Sequence, residues 1–271
     1  MDFTCAPRRA KPITVAGGVL ERNLLSLSAV EALGDFNAFE AFLARKGPWV
    51  GGFDFPFALP LELVRALGWP SEWKALVAHC ARIPRQELRR TFDAYRATRP
   101  AGSKYVHRAT DHPAGSSSPM KLVNPPVALM FHEGAPRLLG AGVSIPALAE
   151  GDASRVALEA YPGLLVRKQL GLRASYKSDT RSAHTRERLA VRKKVVSCLE
   201  AGNPLGIRLR LPEKLRSEIV ADGSGDLLDA VICAVQAGWA AREPGYGLPP
   251  EAFAGEGWIL GACAPSTFSS R

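Results

Sequence analysis

The chain has 271 residues, of which 46% are hydrophobic and 23% charged. That is ordinary globular composition for one large domain, and it excludes a disordered tail, a collagen-like rod and a small disulfide scaffold. Lys plus Arg number 35 against 26 Asp plus Glu, a formal charge of +9 that favours an anionic partner.

Met1-Asp2-Phe3-Thr4 lacks the basic flank and apolar stretch of a signal peptide. Lys11–Leu20 and Asn23–Ser28 read as short strands separated by turn residues. Ala29–Lys46 has helical spacing in Val30, Leu33, Phe36, Phe39, Phe42 and Leu43, and Gly47-Pro48 stops it. Trp49–Phe55 is a buried strand ended by Pro56. Leu61–Ala81 and Pro84–Arg96 are expected as amphipathic helices. Residues 100–126, rich in Pro, Gly and Ser, are expected as a long loop or part of an inserted lobe spanning roughly residues 61–150. Val127–Phe131 suits a buried helix or strand, and Pro136–Gly140 looks strand-like.

Arg155–Tyr161 alternates as a strand, placing Val156, Leu158 and Ala160 on one side and Ala157, Glu159 and Tyr161 on the other. Leu164–Leu170 and Arg181–Glu200 read as helices. Asp226–Ala241 follows Gly223-Ser224-Gly225 and is apolar nearly all round, so it is expected as a buried helix. The pattern as a whole is an α/β domain, a mixed sheet with helices on its faces.

No apolar run reaches the roughly 18 residues of a membrane span. The five cysteines, Cys5, Cys80, Cys198, Cys233 and Cys263, are widely spaced without C-x-x-C, which suits reduced thiols in a cytoplasm. The positive charge is concentrated. Residues 82–108 carry a local +6 and residues 165–195 a local +8, so the remainder carries about −5 within the total of +9. Two phosphate-contacting surfaces would use such segments.

The chemistry candidates are acids in apolar settings. Asp54 lies in Phe53-Asp54-Phe55-Pro56-Phe57, and Glu159 lies near a strand end before a proline. Asp226 and Asp229, three residues apart, share a helix face, with Asp226 also a candidate N-cap. Ala230, Cys233 and Ala237 continue that stripe with small side chains, which lets the helix approach a sheet. Converging carboxylates repel one another unless a cation intervenes, and hard oxygen donors favour Mg²⁺ or Mn²⁺. Two such ions can drive phosphodiester cleavage. Lys177, Arg181, Arg186 and Lys121 are candidate phosphate holders. Ser116-Ser117-Ser118 has no paired His/Asp signature, and no P-loop or dinucleotide fingerprint is present.

Gly52-Phe53-Asp54-Phe55-Pro56-Phe57-Ala58-Leu59-Pro60, Leu158-Glu159-Ala160-Tyr161-Pro162, Tyr176-Lys177, Asp226-Leu227-Leu228-Asp229-Ala230-Val231-Ile232-Cys233-Ala234 and Glu256-Gly257-Trp258-Ile259 resemble the domain-of-unknown-function 429 family. Asp2-Phe3-Thr4-Cys5-Ala6-Pro7 is similar to that family's first strand and turn, and the D-x-x-D-A helix is similar to the last helix of Holliday-junction resolvases. Family members are described as predicted nucleases. The resemblance implies a ribonuclease H-like fold, with a mixed five-stranded sheet between helices and a metal-dependent carboxylate site. Carried over by motif, Asp2, Asp54, Asp226 and Asp229 are the expected metal ligands, with Glu159 as a further ligand or supporting acid.

The expectation is a metal-dependent phosphodiesterase, a nuclease acting on DNA or RNA with Mg²⁺ or Mn²⁺. The alternatives are a non-catalytic nucleic-acid-binding protein and a metal-dependent hydrolase or transferase of a small phosphorylated molecule.

Overall fold

The computed structural model describes residues 1–262, and Cys263 lies outside them. Strand β1 (Ile13–Glu21) turns through Arg22, at φ 55°, into β2 (Leu24–Leu33). Asp35 then caps α1 (Phe36–Leu43) by accepting the Ala38 N–H at 2.8 Å. After β3 (Trp49–Phe53) come α2 (Leu61–Ala66), α3 (Trp73–Ala81), α4 (Arg85–Ala97), the single turn α5 (Asp111–Ala114) and α6 (Val127–Ala141). Next are β4 (Val143–Ser144), β5 (Asp152–Glu159) and a π-helical turn at Leu164–Gln169. The chain closes with α7 (Arg186–Glu200), β6 (Arg208–Arg210), α8 (Glu213–Ala221), the buried α9 (Asp226–Ala240) and short 3₁₀ turns.

The architecture is α/β, with six strands in two three-stranded sheets rather than one sheet of five. In one sheet β1 pairs antiparallel with β2, and β2 pairs parallel with β6. In the other, β5 lies between β3 and β4 and is parallel to both. The N-terminal segment joins the two sheets. Asp2 pairs antiparallel with Thr14, through hydrogen bonds of 2.8 and 3.0 Å, and parallel with Asp54, whose N–H donates to Met1 O at 3.0 Å.

Helix α9 packs across β1 and β3. The close approach depends on Gly52, because a Cβ there would stand 2.5 Å from the carbonyl oxygen of Cys233. The small-residue stripe of α9 therefore does meet a sheet. One core gathers Phe3, Phe39, Phe53, Phe55 and Phe57 with α3, α4 and α6. A second fills the space between β2, β6, α7, α8 and α9. Residues 61–150 do not build a core of their own, since their helices pack into the same cluster as Phe53.

Several boundaries differ from the sequence pattern. Val30 and Leu33 belong to β2, where pairing with β1 outweighs an apolar spacing that also fits a helix. The Leu61–Ala81 helix breaks in two where Gly68 adopts φ +66° ahead of Pro70. Pro136–Gly140 is helical, because Ala128, Leu129, Phe131, Ala135 and Leu138 bury one face of α6 and tolerate the internal proline. Residues 181–200 divide into a 3₁₀ turn, Arg181–Ala183, and α7, which Thr185 caps. Residues 100–126 are irregular apart from α5. Asp226 is the first residue of α9 rather than its cap; Gly225 takes the cap position at φ 81°, and Asp222 accepts the Leu227 N–H at 3.0 Å.

Gly52→Ala is expected to lower stability by about 1–3 kcal/mol, since the new methyl group would meet the Cys233 backbone, which cannot swing aside, and the Ala160 Cβ at 3.2 Å. Gly17→Ala in β1 meets nothing within 4 Å and is the matched control. Urea unfolding of the two variants checks this, and equal midpoints would remove Gly52 as the point of close contact.

Candidate metal centre

Three carboxylates from distant parts of the sequence meet where the sheets join. Asp2 comes from the N-terminal segment, Asp54 follows β3, and Asp229 lies in the first turn of α9. One oxygen of each lies within 4.8 Å of the others. Asp229 is fully buried, and Asp2 and Asp54 are half-buried. At that separation each pair of charges repels by roughly 3 kcal/mol at an effective dielectric near 20.

The cluster's protonation reflects that repulsion. Burial, then the charge of Asp229, pushes Asp54 up to about 7. Burial and the same neighbour raise Asp2 well above the ordinary aspartate range. One ammonium partly balances the set: Lys177 Nζ donates to Asp229 Oδ2, while Tyr176 Oη donates to Oδ1. Burial opposes the Lys177 charge, but Asp229, Asp2 and Asp54 outweigh it and hold the proton on above the usual lysine value. Three oxygen donors with one lysine leave an excess of negative charge, the chemistry that suits a hard divalent cation.

The other expected ligands fall differently. Asp226 lines the same cleft but lies outside the three-carboxylate group, and burial raises its pKa. Both oxygens of Glu159 are engaged. Arg108 Nη2 and Nη1 donate to Oε1 and Oε2 at 2.6 and 2.7 Å, and the Phe57 N–H donates to Oε2 at 3.0 Å. The same guanidinium bonds Asp111 at 2.9 Å, and Arg108, Asp111 and Glu159 are all buried. Glu256 extends the lattice, accepting from Leu61 N and Ala109 N at 2.6 and 3.0 Å. Glu159 thus ties the irregular segment 100–126 to the end of β5 next to Asp54.

The carboxylates open into a cleft of about 850 Å³. Lys121, Lys177, Arg167 and Arg173 line it, whereas Arg181 and Arg186 are exposed elsewhere. The first basic segment contributes only Arg108 to this cleft. Some of its other arginines pair within the fold, as in Arg85–Glu133 at 2.6 Å and Arg99–Glu62 at 2.6 Å. From the second segment, Arg192 is buried and donates to Val220 O and Tyr176 O at 2.8 and 2.7 Å, fixing the strand of chain that carries Lys177. Sequence reasoning passed over Arg108, Arg173 and the hydroxyl of Tyr176. The spacing of Arg108 and Asp111 is the one local signal that could have marked a buried pair.

No family model, curated protein or solved structure matches the chain.

Two outcomes are expected. Folded Asp54 holds its proton up to about pH 7, against the ordinary 3.8, so between those values the native state binds more protons than the unfolded one. Its contribution to stability is therefore present at low pH and lost as pH rises through 7. In chelator, Asp54→Asn should gain thermal stability relative to wild type between pH 5 and pH 8; a constant difference would contradict the burial of that charge. Arg108→Ala strands two buried carboxylates and is expected to cost about 3–5 kcal/mol in urea unfolding, where a loss below 1 kcal/mol would refute the buried pairing.

Proposed function

We propose that the chain is a metal-dependent phosphodiesterase, a nuclease of the domain-of-unknown-function 429 family with a ribonuclease H-like fold. The observation that carries this reading is the convergence of Asp2, Asp54 and Asp229 within 4.8 Å beside a cleft lined by Lys121, Arg167, Arg173 and Lys177.

Strand order supports the fold assignment. With the N-terminal segment counted, the strands run β6-β2-β1-segment-β3-β5-β4, so two adjacent parallel elements each end on an acid, Asp2 and Asp54. Helix α9 then brings a third acid against them.

Asp2, Asp54 and Asp229 would hold Mg²⁺ or Mn²⁺, with Asp226 on the lining of the same cleft but outside that group. When bound, such ions supply an activated water and stabilise the leaving oxygen of a phosphodiester. Tyr176 orients the Asp229 carboxylate. Lys177 keeps a full positive charge beside the reacting region, where negative charge develops on the phosphoryl oxygens. Lys121, Arg167 and Arg173 are ion-paired with no carboxylate among the described residues, so they offer free cations to a phosphate backbone. The enclosed volume favours a small phosphorylated molecule as the second reading, since about 850 Å³ lies in the range of small-ligand pockets. Free Cys5, Cys80, Cys198 and Cys233 suit a reducing cytoplasm, and no helix among the described residues is long and apolar enough to cross a membrane.

Purified protein is expected to cleave DNA or RNA oligonucleotides with Mn²⁺ or Mg²⁺ and to stop in EDTA. Asp229→Asn should lower the rate at least a hundredfold. Cleavage by Asp229→Asn at the wild-type rate would refute the assignment of the centre, and turnover of phosphomonoesters alone would favour the second reading.

A further inference from the structure

The cleft's shape and one aromatic wall bear on the form of nucleic acid it accepts. The segment after β5 and the irregular segment 100–126 face each other and are joined across one end of the cleft. Lys168 Nζ donates to His112 O and Pro113 O at 3.0 and 2.7 Å, and Tyr161 Oη donates to Gly115 O at 3.5 Å. Asp2 and Asp54 line the cleft, and Asp229 is fully buried beside them. A phosphodiester must therefore enter a cleft of about 850 Å³ to reach them. A duplex keeps its bases paired and stacked, so it offers none of them to a ring on the cleft wall. A single strand bends freely and splays its bases.

Tyr161 stands half-buried on the cleft wall, immediately after the β5 end that flanks Asp54. The exposed Arg167 guanidinium sits 5.7 Å from its ring centroid and bonds its hydroxyl. An aromatic ring backed by a free guanidinium is the combination that stacks an unpaired base and holds the phosphate beside it.

We propose that the cleft takes an unpaired strand, with a base stacked on Tyr161 and its phosphate on Arg167, while the next phosphodiester lies over the carboxylates. This rests on the phosphodiesterase reading above.

The test is fluorescence anisotropy with a labelled 12-nucleotide single strand, a duplex of the same length and a mononucleotide as competitor. Ca²⁺ suppresses turnover, and cleavage of both polymers is then followed in Mn²⁺. The single strand is expected to bind at least tenfold more tightly than the duplex. Tyr161→Ala should weaken single-strand binding about tenfold, and Tyr161→Phe, which keeps the ring, should stay within about twofold of wild type. Circular dichroism confirms that both variants fold. Duplex bound or cleaved as well as single strand, or an unchanged Tyr161→Ala, overturns the inference while leaving the nuclease reading intact. Tight single-strand binding with no cleavage leaves the stacking inference standing and overturns the catalytic reading. Full competition by equimolar mononucleotide, or no binding of either polymer, overturns both.

Discussion

Three carboxylates are forced together where two small sheets meet, and much of the surrounding structure serves that contact. Asp2 and Asp54 are brought side by side by backbone pairing, so their separation is set by the spacing of neighbouring strands. Asp229 arrives on a helix that can come close only because Gly52 presents no side chain to the Cys233 carbonyl. Burial, and then the charge of Asp229, drives Asp54 up to about 7. Lys177 offsets one charge of the three. Three carboxylates, with one ammonium, beside a cleft supply the oxygen donors on which the proposed divalent cation rests.

A second charged cluster stands beside the first and does a different job. Arg108, Asp111 and Glu159 form a buried lattice in which the guanidinium meets two carboxylates at hydrogen-bond distance. Every oxygen of the two carboxylates accepts a hydrogen bond from Arg108, which leaves none of them free for an ion. It fastens an irregular stretch rich in Pro, Gly and Ser to the end of β5, and that stretch becomes a wall of the cleft. Two neighbouring groups of acids thus differ in whether an arginine reaches them.

The parts of the site legible in the sequence are those where a local rule is broken. Asp54 among phenylalanines, and Asp229 inside a helix apolar nearly all round, stand out because an unpaired acid is costly to bury. An ion pair of Glu159 with an arginine is a reading the sequence allows, but not which arginine, because Arg108 lies 51 residues away in a stretch without periodicity. Lys177 was readable as a cation near the site, but its contact with Asp229 depends on the fold of the segment after β5. The secondary-structure differences have similar causes. The β2 sequence places apolar residues at spacings that suit both a strand and a helix, and only pairing with β1 decides between them. The break after α2 was signalled by Gly68 and Pro70, yet the apolar residues on either side continue a helical pattern. In α6 the burial of one face overrides a proline that reads locally as a breaker.

The central claim is that Asp2, Asp54 and Asp229 hold a divalent cation. The most direct measurement is anomalous diffraction at the manganese edge from crystals soaked in millimolar Mn²⁺. The account predicts a peak bounded by oxygens of all three carboxylates, with the Lys177 ammonium moved off Asp229. A soaked crystal with no peak between those residues, and with Lys177 still bonded to Asp229, would contradict it.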